Sequence, residues 1–130
     1  MNKDRETAKK YLQQALEGDL MAMNNMGVCF AQGIGVVENH ATAFEWYMKA
    51  ATLGDTYACY NVAECYYLGQ GCQEDHAKAH ELWLRAVKKG HLQSQKNVGA
   101  NYWNGDGVEK DDGWAEWLTL IIEYGKLWLK

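Results

Sequence analysis

The chain contains no proline in 130 residues. Proline breaks helix interiors, so nothing interrupts long helical runs, and the thirteen glycines must supply the punctuation. There is no excess of basic charge: 13 Lys and Arg stand against 17 Asp and Glu, a net charge of −4. That argues against a nucleic-acid binder, which uses a concentrated cationic face to displace counterions from phosphates. No apolar stretch approaches the roughly 20 residues that span a bilayer. The opening Met1-Asn2-Lys3-Asp4-Arg5-Glu6 is polar and leads into no signal-peptide core, so a cytoplasmic protein is expected. No Cys-x-x-Cys pair, nucleophile motif or converging pair of carboxylates is present, so no enzyme and no cofactor are expected. What remains is 48% hydrophobic residues in a length that suits one domain with a real core.

That core repeats. Gly18, Gly54 and Gly90 stand 36 residues apart. The same step relates Gly33, Gly69 and Gly105, then Gly35, Gly71 and Gly107. It also relates Ala43, Ala79 and Ala115, then Asn25, Asn61 and Asn97, and the aromatics Phe30, Tyr66 and Tyr102. Within each unit a first stretch carries Ala22, Met26, Gly27 and Phe30 at spacings of three and four, one face of a helix. A Gly-x-Gly turn follows, and then a polar residue suited to a helix start: Asn39, Asp75 or Asp111. A second helix runs through Ala43, Trp46, Tyr47, Ala50 and Ala51.

Two helices per 36 residues mean an all-α solenoid. Ala8, Tyr11, Leu12 and Ala15, ending at Gly18, match a second helix with one residue deleted. The prediction is therefore a single domain over 1–130: a half repeat at 4–17, repeats at 18–53, 54–89 and 90–125, and a tail at 126–130. Seven helices are expected, at about 4–17, 19–32, 38–53, 55–68, 74–89, 91–104 and 110–128.

The segment Ala41-Thr42-Ala43-Phe44-Glu45-Trp46-Tyr47-Met48-Lys49-Ala50-Ala51 resembles the second helix of a Sel1-like repeat. Met26 through Val36 resembles the end of the first helix and its turn. The resemblance covers nearly the whole chain. It implies a right-handed superhelix of tetratricopeptide-like hairpins with first helices lining the concave side, and it implies an adaptor or scaffold in protein complexes. A secreted branch of the family ties neighbouring hairpins with a Cys-x7-Cys disulfide. Cys59 falls at the second position of that pair, but the first is Ala51, so the bridge cannot form.

Three features invite a sharper chemistry. The Gly-x-Gly turns lack the preceding strand and the G-x-G-x-x-G spacing of a dinucleotide fingerprint, and their recurrence in every unit reads as turn. His76 and His80, at i and i+4, could face one metal, and a metal-dependent enzyme is the least favoured reading; zinc needs at least a third protein ligand. Their repeat counterparts are His40 and Phe44, which point to a solvated helix start and a packed position. Cys29 and Cys65 share one repeat position and, with Cys59 and Cys72, read as small structural thiols of a reducing compartment.

Two surfaces are the candidate sites for a protein or peptide partner. On the first helices the groove should present Asn24, Asn25, Tyr57, Tyr60, Asn61, Glu64, Lys96, Asn97, Asn101 and Asn104. Asn25, Asn61 and Asn97 would form a ladder that either pairs with an extended peptide backbone or bridges adjacent hairpins. The last helix is unusually apolar for the end of a solenoid, with Trp114, Trp117, Ile121, Tyr124 and Trp128 among its residues. It could dock a partner, pair with a second copy as a homodimer, or fold back as a cap. The leading expectation is a non-enzymatic interaction module. The alternatives are a small bacterial immunity or regulatory protein that neutralises one partner, and a structural homo-oligomer.

Overall fold

Helix starts in this chain are written by short polar side chains. Asp19 and Asp55 accept hydrogen bonds from the backbone N–H of Ala22 (3.1 Å) and Ala58 (2.8 Å). Asn39 and Asp75 do the same for Thr42 (3.1 Å) and Lys78 (3.0 Å), as expected from sequence. Asp111 continues the pattern by accepting from Trp114 N–H at 3.1 Å. In a computed structural model of the chain, which describes residues 2–111, 113 and 114, the first four of these caps open four of the six helices, and Asp111 opens the helical turn that follows them.

The helices are α1 (Asn2–Leu16), α2 (Leu20–Gln32), α3 (His40–Thr52), α4 (Thr56–Leu68), α5 (His76–Val87) and α6 (Leu92–Asn104). There is no strand among the described residues. Of the seven helices expected, the one at 110–128 lies outside the described residues apart from its first turn, where Gly113 and Trp114 are helical.

Each helix packs mainly on its neighbours in the chain, α1 on α2, α2 on α3 and onward to α6, as an α-solenoid requires. The repeated alanines make close approach possible. Ala43 and Ala79 are buried in successive core clusters, the first with Tyr47, Val62 and Cys65, the second with Ala63, Trp83, Val87 and Val98.

The second glycine of each Gly-x-Gly turn makes the contact between repeats. A Cβ on Gly35, Gly71 or Gly107 would collide with the backbone carbonyl oxygen of Asp4, His40 or His76 respectively. Those partners are themselves 36 residues apart, so one backbone-to-backbone contact recurs at each junction. Only glycine fits there, and the positive φ of these residues (73°, 77° and 74°) adds a second reason.

Candidate functional site

The first helices α2, α4 and α6 carry the polar residues named above. Asn61 on α4 donates through Nδ2 to Asn24 Oδ1 on α2 at 2.8 Å. The bond therefore crosses between repeats, and it joins Asn61 to Asn24 rather than to Asn25, its repeat counterpart. Asn97 accepts from Gln93 one turn earlier at 3.3 Å and also hydrogen-bonds the Tyr60 hydroxyl on α4, so it is not paired with Asn61. Tyr60 donates its hydroxyl to Glu64 at 2.5 Å. Burial, and then that carboxylate, push the Tyr60 hydroxyl up to about 12. Tyr57 is 63% exposed and meets the His91 ring edge-on at 5.5 Å. Lys96 and Asn104 are exposed, and Asn24, Asn25, Asn61, Glu64 and Asn97 are half-buried.

Asn101 is a correction. It is only 5% exposed, and its Nδ2 lies 3.3 Å from His80 Nδ1 between α5 and α6. The polar side chain points inward because His80 stands where the first repeat has Phe44, and a buried imidazole needs a partner. Asn101 is thus unavailable to a ligand.

The histidine pair also separates. His80 is buried, packed edge-on against Tyr102 at 4.9 Å, and burial lowers its pKa. His76 lies at the surface, stacked on Tyr67 at 4.3 Å, with its Nδ1 against Asp106 and its Nε2 3.5 Å from Glu74. The hydrogen bond to Asp106 is the main cause of its raised pKa. Tyr67 donates to the other oxygen of Asp106 at 2.7 Å, so this trio ties α4, α5 and the turn after α6 together. No group of three or more His, Cys, Asp or Glu side chains able to hold a metal occurs among the described residues. The four cysteines are free; Cys59 Sγ donates to the Leu82 carbonyl at 3.6 Å, and burial pushes the Cys65 thiol up to about 12.

Two features escaped the sequence reading. His91 occupies the capping position held by Asp19 and Asp55, and its Nδ1 accepts from Ser94 N–H at 3.2 Å. The 36-residue alignment of Asp19, Asp55 and His91 was the available signal. The second feature is a cleft of about 440 Å³ between α2 and α4, lined also by Tyr47 of α3. Of the apolar C-terminal surface, Trp114 stacks on Tyr102 with ring centroids 5.8 Å apart. Trp117, Ile121, Tyr124 and Trp128 lie outside the described residues.

The Sel1 repeat family model matches residues 1–20, 20–55, 56–91 and 92–113. The chain belongs to the Sel1 repeat family. Proteins of this family are in general protein-interaction modules. Solved structures share this fold. A protective antigen of uropathogenic Escherichia coli with an SLR fold matches at 25% identity and a TM-score of 0.88, over 93% of this chain and 26% of its own. A Sel1 repeat protein from Oxalobacter formigenes matches at 23% identity and a TM-score of 0.87, over 94% of this chain and 50% of its own. Cysteine rich protein B of Helicobacter pylori matches at 20% identity and a TM-score of 0.72, over 92% and 89%. The chain thus spans about a quarter and a half of the first two proteins. No match was found among curated proteins. None of the described helices is long and apolar enough to cross a membrane.

Proposed function

We propose that this Sel1 chain is a non-enzymatic adaptor that binds a protein or extended peptide across the face lined by α2, α4 and α6. The observation that carries the reading is the row of amide and tyrosine side chains along these helices, partly open to solvent and joined across repeats by the Asn61–Asn24 bond. Amides can donate and accept at once, which suits a peptide backbone, and tyrosine supplies rigid contact area. Tyr57, Tyr60 and Asn61 sit near the middle of the row, where binding energy concentrates in ordinary interfaces. The same bond has a second effect: it holds α2 and α4 at a fixed spacing, so the face is preorganised.

The test is affinity capture of the tagged chain from its native cells, repeated with Tyr60→Ala/Asn61→Ala. The reading expects one stoichiometric partner that the double variant loses while its circular dichroism still shows the helical fold at the capture temperature. A partner retained undiminished by the double variant would exclude this face.

A further inference from the structure

The binding face is not uniform along the array. The cleft between α2 and α4 is lined by Ala31 and Tyr47. Tyr47 is 6% exposed, and no described residue hydrogen-bonds its hydroxyl. Glu38, Glu64, Asn61 and Gln70 also line it. No lysine or arginine lines the cleft; His40 and Cys65 are its other titratable side chains. Burial pushes the Tyr47 hydroxyl up, so it stays protonated and keeps both its donor and its acceptor capacity.

The next junction differs at several of these positions, and one exchange fills the space. Thirty-six residues on from Ala31 stands Tyr67. Its ring lies 5.4 Å from Trp83, the counterpart of Tyr47, and its hydroxyl reaches Asp106, the counterpart of Gln70. Tyr67 thus occupies the place that Ala31 leaves open.

We infer that the cleft between α2 and α4 takes a basic side chain, lysine or arginine, of the bound partner. This rests on the adaptor reading above. A cation entering there meets two carboxylates and the lone pairs of a tyrosine hydroxyl and amide oxygens, the acceptor set that ammonium and guanidinium donors need. An acidic side chain would meet Glu38 and Glu64 with no lysine or arginine to balance them. An aliphatic one would seal the Tyr47 hydroxyl away from water with no partner, which costs free energy. The net charge of −4 attracts basic segments in the same sense.

The test titrates the isotope-labelled full chain with N-acetyl-arginine amide and with its neutral isostere N-acetyl-citrulline amide, followed by NMR. The expected result is saturable shifts at the amides of Ala31, Gln32, Asn61 and Cys65 with the arginine probe. The citrulline probe, and the Glu38→Gln/Glu64→Gln variant with arginine, should bind about tenfold more weakly. Ala31→Tyr, which copies the second junction, should keep its melting temperature and lose the shifts. Equal response to both probes, shifts centred elsewhere, or full binding by Ala31→Tyr would each overturn the inference. Absence of any arginine response, with the captured partner still lost from Tyr60→Ala/Asn61→Ala, would overturn it and leave the adaptor reading standing. A partner retained by that double variant would instead remove the adaptor reading itself.

Discussion

The carbonyl oxygen of His40 occupies the space that a Cβ on Gly71 would need. His40 opens α3 and Gly71 lies in the turn after α4, so this contact sets how closely consecutive repeats stack. Gly54 offers a control. It too has positive φ (103°), but a Cβ there would meet nothing within 4 Å.

Gly71→Ala should therefore destabilise the chain by more than Gly54→Ala. The exposed site carries only the left-handed backbone strain, about 1–2 kcal/mol. The junction adds a backbone collision, for a total of about 3 kcal/mol or more. Urea denaturation of the two variants measures the difference; equal losses would show that the junction yields without cost.

Gly27 and Tyr47 give a second test, within one hairpin. A Cβ on Gly27 would strike the Tyr47 ring. Alanine in place of a helix-interior glycine ordinarily stabilises by about 1 kcal/mol. Here Gly27→Ala should destabilise by about 1–3 kcal/mol through overpacking. Adding Tyr47→Ala should remove that penalty, and a double-mutant cycle with no coupling between the two sites would contradict the packing described.

Overpacking should also register at the repeated alanines. Ala79 is fully buried among Ala63, Trp83, Val87 and Val98. Ala79→Leu should cost about 1–3 kcal/mol, seen as a lower melting temperature; an unchanged one would place Ala79 outside the α5 contact face.

Stability should fall on mild acidification. His91 must be unprotonated at Nδ1 to accept from Ser94 N–H, and burial lowers its pKa. His80 is lowered by burial as well. Both groups take up a proton more readily in the unfolded chain, so the stability they contribute is present above the ordinary histidine value of about 6.5 and is lost as pH falls through their folded values. His76 has the opposite sign: its raised pKa favours the folded state at low pH, and that contribution is lost as pH rises through its folded value. His91→Asp restores the cap found at Asp19 and Asp55. Its melting temperature should drop less between pH 7.5 and 5.5 than that of the parent, and an identical drop would absolve His91.

Much of the fold was legible because a repeat states each rule several times. The 36-residue glycine, alanine and asparagine series located six helices to within about two residues, and Asn39, Asp75 and Asp111 were identifiable as helix starts because capping is local chemistry. The groove was legible in part. Helical periodicity placed Tyr57, Tyr60, Asn61 and Lys96 toward solvent, but it placed Asn101 there as well. Asn101 turns inward to serve His80, a residue twenty-one positions away on another helix, and no single-helix pattern carries that information.

The sequence by itself determined which elements form, where they begin and that they stack as equivalent hairpins, since these depend on short-range hydrogen bonding, glycine conformation and apolar spacing. Only the tertiary structure decided which polar side chains meet. It joined Asn61 to Asn24 instead of aligning the asparagines in register, it turned Asn101 to His80, and it left unpartnered the hydroxyl of Tyr47, which lines a cleft whose counterpart one repeat later holds Tyr67. Those outcomes depend on distances between helices, which side-chain volumes at positions such as Gly27, Ala31 and Gly71 set jointly, and no one position reveals them alone.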